Sequence, residues 1–316
     1  MWRYALRRIS FLPVIIFVVS VITFVLLRVL PDQDPAVLMA GQNATPQQVQ
    51  AIHELLGLDE PIVVQYIDWV SDVTRGDLGE TYFGRRDIGA EILRRFPASA
   101  ELVLLSLIVS LVVGVSFGVI SAVMRNSSID YVVRFFAVFG QSVPDFFLLI
   151  LLIIVPSIIW NYAAPIGGYV APWDDPLRNI RIYLPPSLIL GIGGAAGIMR
   201  LQRTTMLDVL GSDYVRTARA KGLGAWTVIV GHAFRNTLAP LVTVLGTSFT
   251  LIFAGSVIAE RVMSIDGLGV FFLDSAIQRD FPVVQFLVLY TATVVIVVNL
   301  IVDLSYAIID PRVRYR

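Results

Sequence analysis

Six long apolar stretches dominate this chain: Ile9–Leu27, Leu102–Met124, Phe135–Trp160, Tyr183–Met199, Leu238–Ala259 and Val283–Ile309. Of its 24 basic and 24 acidic side chains, only Asp145 and Asp303 fall inside them. A bilayer core of about 30 Å takes about 20 apolar residues in helical form, and each stretch reaches or nearly reaches that length. Lipid offers no partner to an open backbone group, so a spanning segment closes its hydrogen bonds as a helix or within a closed barrel. At 17 to 27 residues these stretches are too long for barrel strands. The sequence predicts an all-α polytopic membrane protein with six transmembrane helices.

Composition supports this. Only 15% of the residues are charged, against about 25% in soluble domains. A formal net charge of zero lacks the basic footprint of a nucleic-acid binder. The absence of cysteine excludes disulfides, thiolate metal sites and cysteine nucleophiles. Arg3, Arg7 and Arg8 before the first stretch suggest a secretory signal, but its apolar core is too long and Arg28-Val-Leu-Pro31-Asp32 offers no small-x-small cleavage site. It reads as a retained helix.

The loops set orientation. With the N-terminus cytoplasmic, the inner segments carry 14 basic groups against four acidic ones, including Arg125, Arg134, Arg200, Arg203 and the terminal Arg312, Arg314 and Arg316. The outer segments carry nine basic and 18 acidic groups. The positive-inside rule then places both termini in the cytoplasm. Three parts follow: an N-terminal helix over residues 1–30, a small helical outer segment over 31–98, and a five-helix core over 99–316 with a cytoplasmic loop over 200–237.

The outer segment carries folding signals. Thr45-Pro46-Gln47-Gln48 combines an N-cap, a proline at the first helical position and a capping-box glutamine, and Val49, Ile52, Leu55 and Leu56 recur at helical spacing up to Gly57. A second amphipathic stretch follows Pro61 with Ile62, Tyr66, Trp69 and Val70. Such a segment serves as a docking surface for an outside partner, as a cap on the helix ends, or both. In the membrane, Gly114-Val-Ser-Phe-Gly118 and Gly191-Ile-Gly193-Gly194-Ala-Ala-Gly197 present small faces that let helix backbones approach closely. Packing is the default role for both, and flexibility along a pore the minority one.

The loop before the fifth stretch is the most distinctive segment. It reads as a short helix from about Tyr214 to Lys221, broken at Gly222 and Gly224, then a second from about Ala225 into the membrane. A basic, small-residue helix on the inner face suits either the groove of another protein or a solvated position near anionic headgroups.

Here the chain resembles a known family. Asp213-Tyr-Val-Arg-Thr-Ala-Arg-Ala-Lys-Gly222 followed by His232-Ala-Phe-Arg-Asn-Thr-Leu-Ala-Pro240 is similar to the EAA loop of bacterial ABC importer permeases, in the dipeptide/oligopeptide/nickel subfamily. Resemblance continues through Arg75-Gly-Asp-Leu-Gly79, Gln141-Ser-Val-Pro-Asp-Phe146, Ala259 to Gly269, Arg279 to Gln285 and Asn299 to Arg314. The long outer segment after the first helix looks like that of the first permease subunit. The Glu-Ala-Ala triplet of the wider pattern is replaced by Arg216-Thr-Ala218, and its later proline by Arg235, while Gly222 and Pro240 remain.

The resemblance implies a type I ABC importer permease fold, a bacterial inner-membrane location, and one half of a translocation path for di- or oligopeptides, with nickel or another small solute as the alternative. Implied partners are a second homologous permease, two cytoplasmic ATP-binding subunits or domains, and a periplasmic substrate-binding protein. Asp213, Tyr214, Arg216, Thr217, Ala218, Arg219, Ala220, Lys221, Gly222 and Trp226 are expected to form the coupling helix against an ATP-binding subunit. A phosphate-binding G-x-x-x-x-G-K-[ST] loop is impossible here, because the single lysine, Lys221, precedes Gly222. No catalytic residue and no bound cofactor are expected in this chain; ATP and Mg belong on the partners.

Within the membrane, Asp145 lies about ten residues into the third stretch, which along a straight helix is roughly 15 Å deep. With Gln141, Ser142 and Pro144 it is assigned either to a translocation path or to a structural group at a proline kink. Asp303 and Asn299 are read as structural. Arg28, Glu101 and Glu260 lie at helix ends where side chains snorkel to the interface. His53 and His232 fall on opposite sides, so no metal site is expected; His232 is read as an anchor between loop and helix. An ion-coupled secondary transporter would normally carry more intramembrane charge and an internal repeat. A membrane-embedded enzyme would need paired catalytic groups at one depth.

Overall fold

The computed structural model describes residues 2–29, 34–41 and 44–309, with side chains over 8–28, 34–41 and 44–305. The basic termini Arg3, Arg7, Arg312, Arg314 and Arg316, used above for orientation, lie outside the described side chains. The chain divides into two compact units, one of residues 5–96 and 271–297, the other of residues 1–4, 97–270 and 298–316.

In the first unit, helix α1 (Trp2–Val29) is followed by α2 (Pro35–Ala40), α3 (Pro46–Leu55) and α4 (Ile62–Arg75). The sequence signals for α3 act as read: Gln48 N donates to Thr45 Oγ1 at 3.3 Å and Thr45 N to Gln48 Oε1 at 2.8 Å. Asp34 caps α2 through Ala36 N at 2.8 Å and also pairs with His53 of α3, tying the two short helices together. Helix α4 turns Tyr66 and Trp69 onto Phe24 of α1, with ring centroids 5.3 and 5.8 Å away, and Ser20 Oγ meets Tyr66 OH at 2.8 Å. One face of the second amphipathic stretch is therefore a packing surface, while Val63 and Ile67 on the same helix stay exposed. Gly76, with φ of +88°, ends α4 in the left-handed conformation that glycine adopts without steric cost.

In the second unit, α5 (Ile88–Val123), α6 (Ser128–Ser142), α7 (Asp145–Trp160), α8 (Pro176–Leu210) and α10 (Leu238–Val262) supply most of the structure. The short α9 (Asp213–Ala220) lies between α8 and α10; α11 (Leu268–Gln278) and α12 (Phe281–Ile309) follow, with most of both, residues 271–297, in the first unit. The centre of this unit is α8, which packs against α5, α6, α7 and α10 around Leu102, Leu149, Tyr183, Leu190 and Ala259. The two glycine faces meet side chains of the opposite helix. A Cβ on Gly114 would lie 2.7 Å from Ile198, one on Gly118 2.7 Å from Gln202, and one on Gly191 2.6 Å from Val109. Close backbone packing is what these glycines permit.

Among the described residues, five helices are long and apolar enough to cross a membrane, and the bent pair α6 and α7 passes the same test only when the two are taken together, for up to six spans. The pair departs from the expected single helix Phe135–Trp160: α6 and α7 meet at 94°. Pro144 is the cause, since its ring drives Val143 into an extended conformation, with ψ of 122°, and it has no N–H to continue the ladder. Asp145 is accordingly the first residue of α7, and a depth reckoned along one straight helix does not apply to it.

Two more expectations need correction. The fourth stretch is longer than Tyr183–Met199: α8 continues to Leu210, so residues 200–210 of the anticipated loop are helical. Glu260 does not snorkel. It is fully buried, accepting from Ser99 Oγ at 2.6 Å, Gly269 N at 2.8 Å and Val270 N at 3.1 Å, while Leu268 N donates to Ser99 Oγ at 2.7 Å. Carboxylate and hydroxyl together satisfy the open amides at the start of α11. A Cβ on Gly269 would come within 2.8 Å of Glu260 Oε2, and one on Gly267 would also collide with that carboxylate, so the Gly267-Leu-Gly269 segment has a steric reason.

Candidate functional site

Helix α9 has two faces. Val215 and Ala218 are buried against Val228 and the α8 residues Val209 and Leu210. Asp213, Tyr214, Arg216, Thr217, Arg219, Ala220 and Lys221 face outward and are exposed. Of the expected coupling residues, Ala218 alone points into the protein. Thr217 Oγ1 donates back to Asp213 O at 2.9 Å, and the Arg216–Asp213 pair, 3.4 Å apart and open to water, adds little stability.

The helix stops where glycine allows it to. Gly222 has φ of +80°, its amide donates to Arg219 O at 2.9 Å, and Leu223 N reaches Ala218 O at 3.4 Å, closing the last turn. Beyond it Trp226 is 77% exposed, a large apolar side chain with almost no cover in this chain. The expected second helix begins as a π-helical turn, Thr227–Ala233, and a 3-10 turn, Phe234–Thr237, before α10 takes over. Pro240 lacks the amide that would bond Asn236 O in an α-helix. Asn236 Nδ2 donates to His232 O and to Tyr214 OH, both at 2.8 Å, joining this irregular stretch to α9. His232 thus anchors through its carbonyl, and its side chain is exposed.

On α8, about ten residues before α9 begins, lies a polar layer that the sequence does not announce. Asp130, in the first turn of α6, is completely buried and accepts from Arg203 Nε and Nη2, both at 2.9 Å, from Ser121 Oγ at 2.5 Å and from Asn126 N at 3.0 Å. On the neighbouring position of α8, Gln202 Nε2 donates to Thr237 Oγ1 at 2.8 Å. Consecutive residues of α8 therefore hold the α5–α6 corner on one side and the start of α10 on the other. In the sequence, Asp130 and Arg203 count only as loop charges.

The second candidate site surrounds the bend. A cavity of about 460 Å³ is lined by Gln141, Pro144, Asp145, Leu190, Gly193 and Leu251, among others. Three of the four expected path residues line it. Ser142 does not, and its hydroxyl donates to Val138 O at 2.8 Å within α6. The Asp145 carboxylate rests on the bare backbone of α8: a Cβ on Gly193 would come within 2.8 Å of Asp145 Oδ1. Asn299 lies away from this cavity, its Oδ1 3.4 Å from where a Cβ of Gly246 would stand, at the packing of α12 on α10.

Comparison with known proteins agrees with this architecture. Residues 114–315 match the family described as binding-protein-dependent transport system inner membrane component, and residues 1–103 match its N-terminal region. A protein of Brucella abortus whose name assigns it to a peptide transport system as permease is 38% identical over 310 residues, covering 98% of both chains. The dipeptide transport system permease protein DppB of Escherichia coli K12 is 36% identical over 340 residues, and the glutathione transport system permease protein GsiC of Escherichia coli O6:H1 37% over 316, each covering 100% of both chains. Among solved structures, the MetNI methionine ABC transporter in an inward-facing conformation matches with a TM-score of 0.56 at 18% identity, covering 70% of this chain and 96% of that one. At that identity the likeness speaks for the fold alone.

Proposed function

Since this chain belongs to the family of binding-protein-dependent transport system inner membrane components, the permease subunits of ABC importers, we propose that it forms half of the path by which di- or oligopeptides enter the cell. The observation that carries the coupling part is α9. It is anchored inward by Val215 and Ala218 and presents Tyr214, Arg216 and Arg219 outward, with Lys221 and Trp226 exposed just beyond its end. A short helix with a buried foot and an open face is suited to seat in a groove of another protein. In this reading the groove belongs to one of two ATP-binding subunits or domains, and their closure around ATP moves α8 and α10 between inward-open and outward-open states. A ligand shifts such an equilibrium only by its differential affinity for the two states.

A second homologous permease completes the path, and a periplasmic substrate-binding protein delivers the substrate. Both termini lie in the cytoplasm. ATP and Mg act on the partner subunits, none being held by this chain. Peptide as the substrate is supported by the names of the full-length relatives.

The test is to reconstitute the importer with its partners. Gly222→Asp, which puts a strained Cβ at a φ of +80° and a charge on the open face, is expected to abolish substrate-stimulated ATP hydrolysis with membrane insertion intact. Unchanged uptake would refute the coupling assignment. Stimulation by a nickel salt and not by dipeptides would overturn the substrate assignment.

A further inference from the structure

The cavity at the α6–α7 bend contains one ionisable side chain among its lining residues, and that side chain lacks a partner. Among the described residues, no hydrogen bond or ion pair reaches the half-buried Asp145 carboxylate. Its carboxylate lies against the bare glycine positions Gly193 and Gly255, and the cavity it shares is lined also by Gln141 and the apolar Leu190, Leu251 and Ile252. By contrast, Asp130 in the same unit is enclosed by four donors. A carboxylate withdrawn from water is costly unless something compensates its charge. Its place in the first turn of α7 supplies part of that through the open amides and the helix dipole, while leaving both oxygens free to accept. Gly193 makes the position possible, because any side chain there would push the carboxylate away.

Resting on the translocation-path reading above, we propose that Asp145 receives the ammonium group at the amino terminus of the peptide as it crosses the membrane. The chemistry selects this occupant. A bare metal ion needs several oxygen or nitrogen ligands, and the cavity offers one carboxylate and the Gln141 amide. An anion is repelled. A small organic cation with apolar substituents finds a counter-charge at Asp145, amide hydrogen bonding at Gln141 and apolar walls at Leu190 and Leu251. The volume of about 460 Å³ is within the range of small-molecule sites. One carboxylate lowers the cost of dehydrating the ammonium without trapping it, which suits a site that must also release.

The experiment uses the complete importer in proteoliposomes, with radiolabelled alanyl-alanine as probe and both uptake and ATP hydrolysis measured. Asp145→Asn and Asp145→Ser keep a polar residue at the helix start and remove the charge. Their maximal uptake is expected to fall about tenfold, the scale of one charge-assisted hydrogen bond. Half-saturation, set by the binding protein, and hydrolysis stimulated by the loaded binding protein are expected to stay within twofold. Asp145→Glu keeps the charge and is expected to retain uptake within about threefold. Wild-type uptake by Asp145→Asn overturns the inference, as does equal impairment of Asp145→Glu and Asp145→Asn, or a parallel fall of uptake and hydrolysis. Leu251→Trp separates this from the path reading, since it fills the cavity from an exposed position. Unimpaired uptake in Leu251→Trp removes the path itself. Blocked uptake there with wild-type behaviour in Asp145→Asn removes only the ammonium contact.

Discussion

Arg203 presents two parallel N–H groups to Asp130, each 2.9 Å from a different carboxylate oxygen, and Asp130 has no surface exposed to solvent. Two-point geometry of this kind is specific to the planar guanidinium and is lost on replacement by lysine. Because Arg203 is on α8 ten positions before Asp213 opens α9, the pair joins the α5–α6 corner to the helix that leads into the coupling segment.

Removing Arg203 leaves the buried Asp130 with the weaker Arg134 contact at 3.4 Å and the Ser121 and Asn126 donors, whereas removing Asp130 leaves Arg203 partly open to water. Arg203→Gln is expected to cost about 3 kcal/mol and Asp130→Ala about 2 kcal/mol, below the full cost of an isolated buried charge. Thermal unfolding of the purified protein in detergent measures this. A loss below about 1 kcal/mol for both variants would show that the pair is dispensable.

The Glu260 cap makes a graded prediction. Glu260→Ala strands the amides of Gly269 and Val270 and the Ser99 hydroxyl, and about 3 kcal/mol of stability is expected to go with them. Glu260→Gln retains one acceptor oxygen and is expected to lose about half as much. Hydrogen exchange over residues 268–271 should accelerate in the same order.

Glycines on α8 can be told apart by what faces them. Gly191→Ala would press a methyl to within 2.6 Å of Val109 and 2.7 Å of Ser106 O, and about 1–3 kcal/mol of overpacking strain is expected. A methyl added at Gly197 would meet nothing within 4 Å, and Gly197→Ala is expected to be neutral or to add up to about 1 kcal/mol from reduced chain entropy. Unfolding titrations of the two variants side by side decide the matter; equal effects would contradict the packing described.

His53 links the fold of the outer segment to pH. Its hydrogen bond to Asp34 raises the imidazole above the ordinary 6.5, with the charges of Asp34 and Asp59 acting the same way and burial opposing. A raised folded-state value means that the pair contributes fully below the unfolded histidine pKa and is lost as pH rises through the folded one. Amide protection in α3 is therefore expected to fall from mildly acidic pH toward and beyond neutrality, and Asp34→Asn should flatten the profile. An unchanged profile in Asp34→Asn would remove Asp34 from the account.

Much of this was legible in the sequence because it depends on local rules. The capping box at Thr45 and Gln48, the glycine stop at Gly222 and the apolar length of the spans are written in neighbouring residues. What escaped depends on partners far along the chain. Asp130 and Arg203 are 73 positions apart, and Glu260 and Ser99 are 161 apart, so nothing near either charge announces that it is buried. The break at Pro144 was visible as a kink, but the surrounding apolar run concealed its size.

The right-angled bend between α6 and α7 also sets a condition on where this protein can exist. Some groups at the bend are satisfied locally, Phe139 O by Val143 N at 3.2 Å, Val138 O by Ser142 Oγ at 2.8 Å and Pro144 O by Phe147 N at 3.0 Å, while any helix break leaves its outermost carbonyls and amides without α-helical partners. Hydrocarbon leaves such groups unsatisfied, so irregular backbone at membrane depth survives only beside water or another protein surface. The bend therefore has to face water or protein and not hydrocarbon, and α8, packed against it at Gly193 and Ile192, already supplies part of that cover from within the chain.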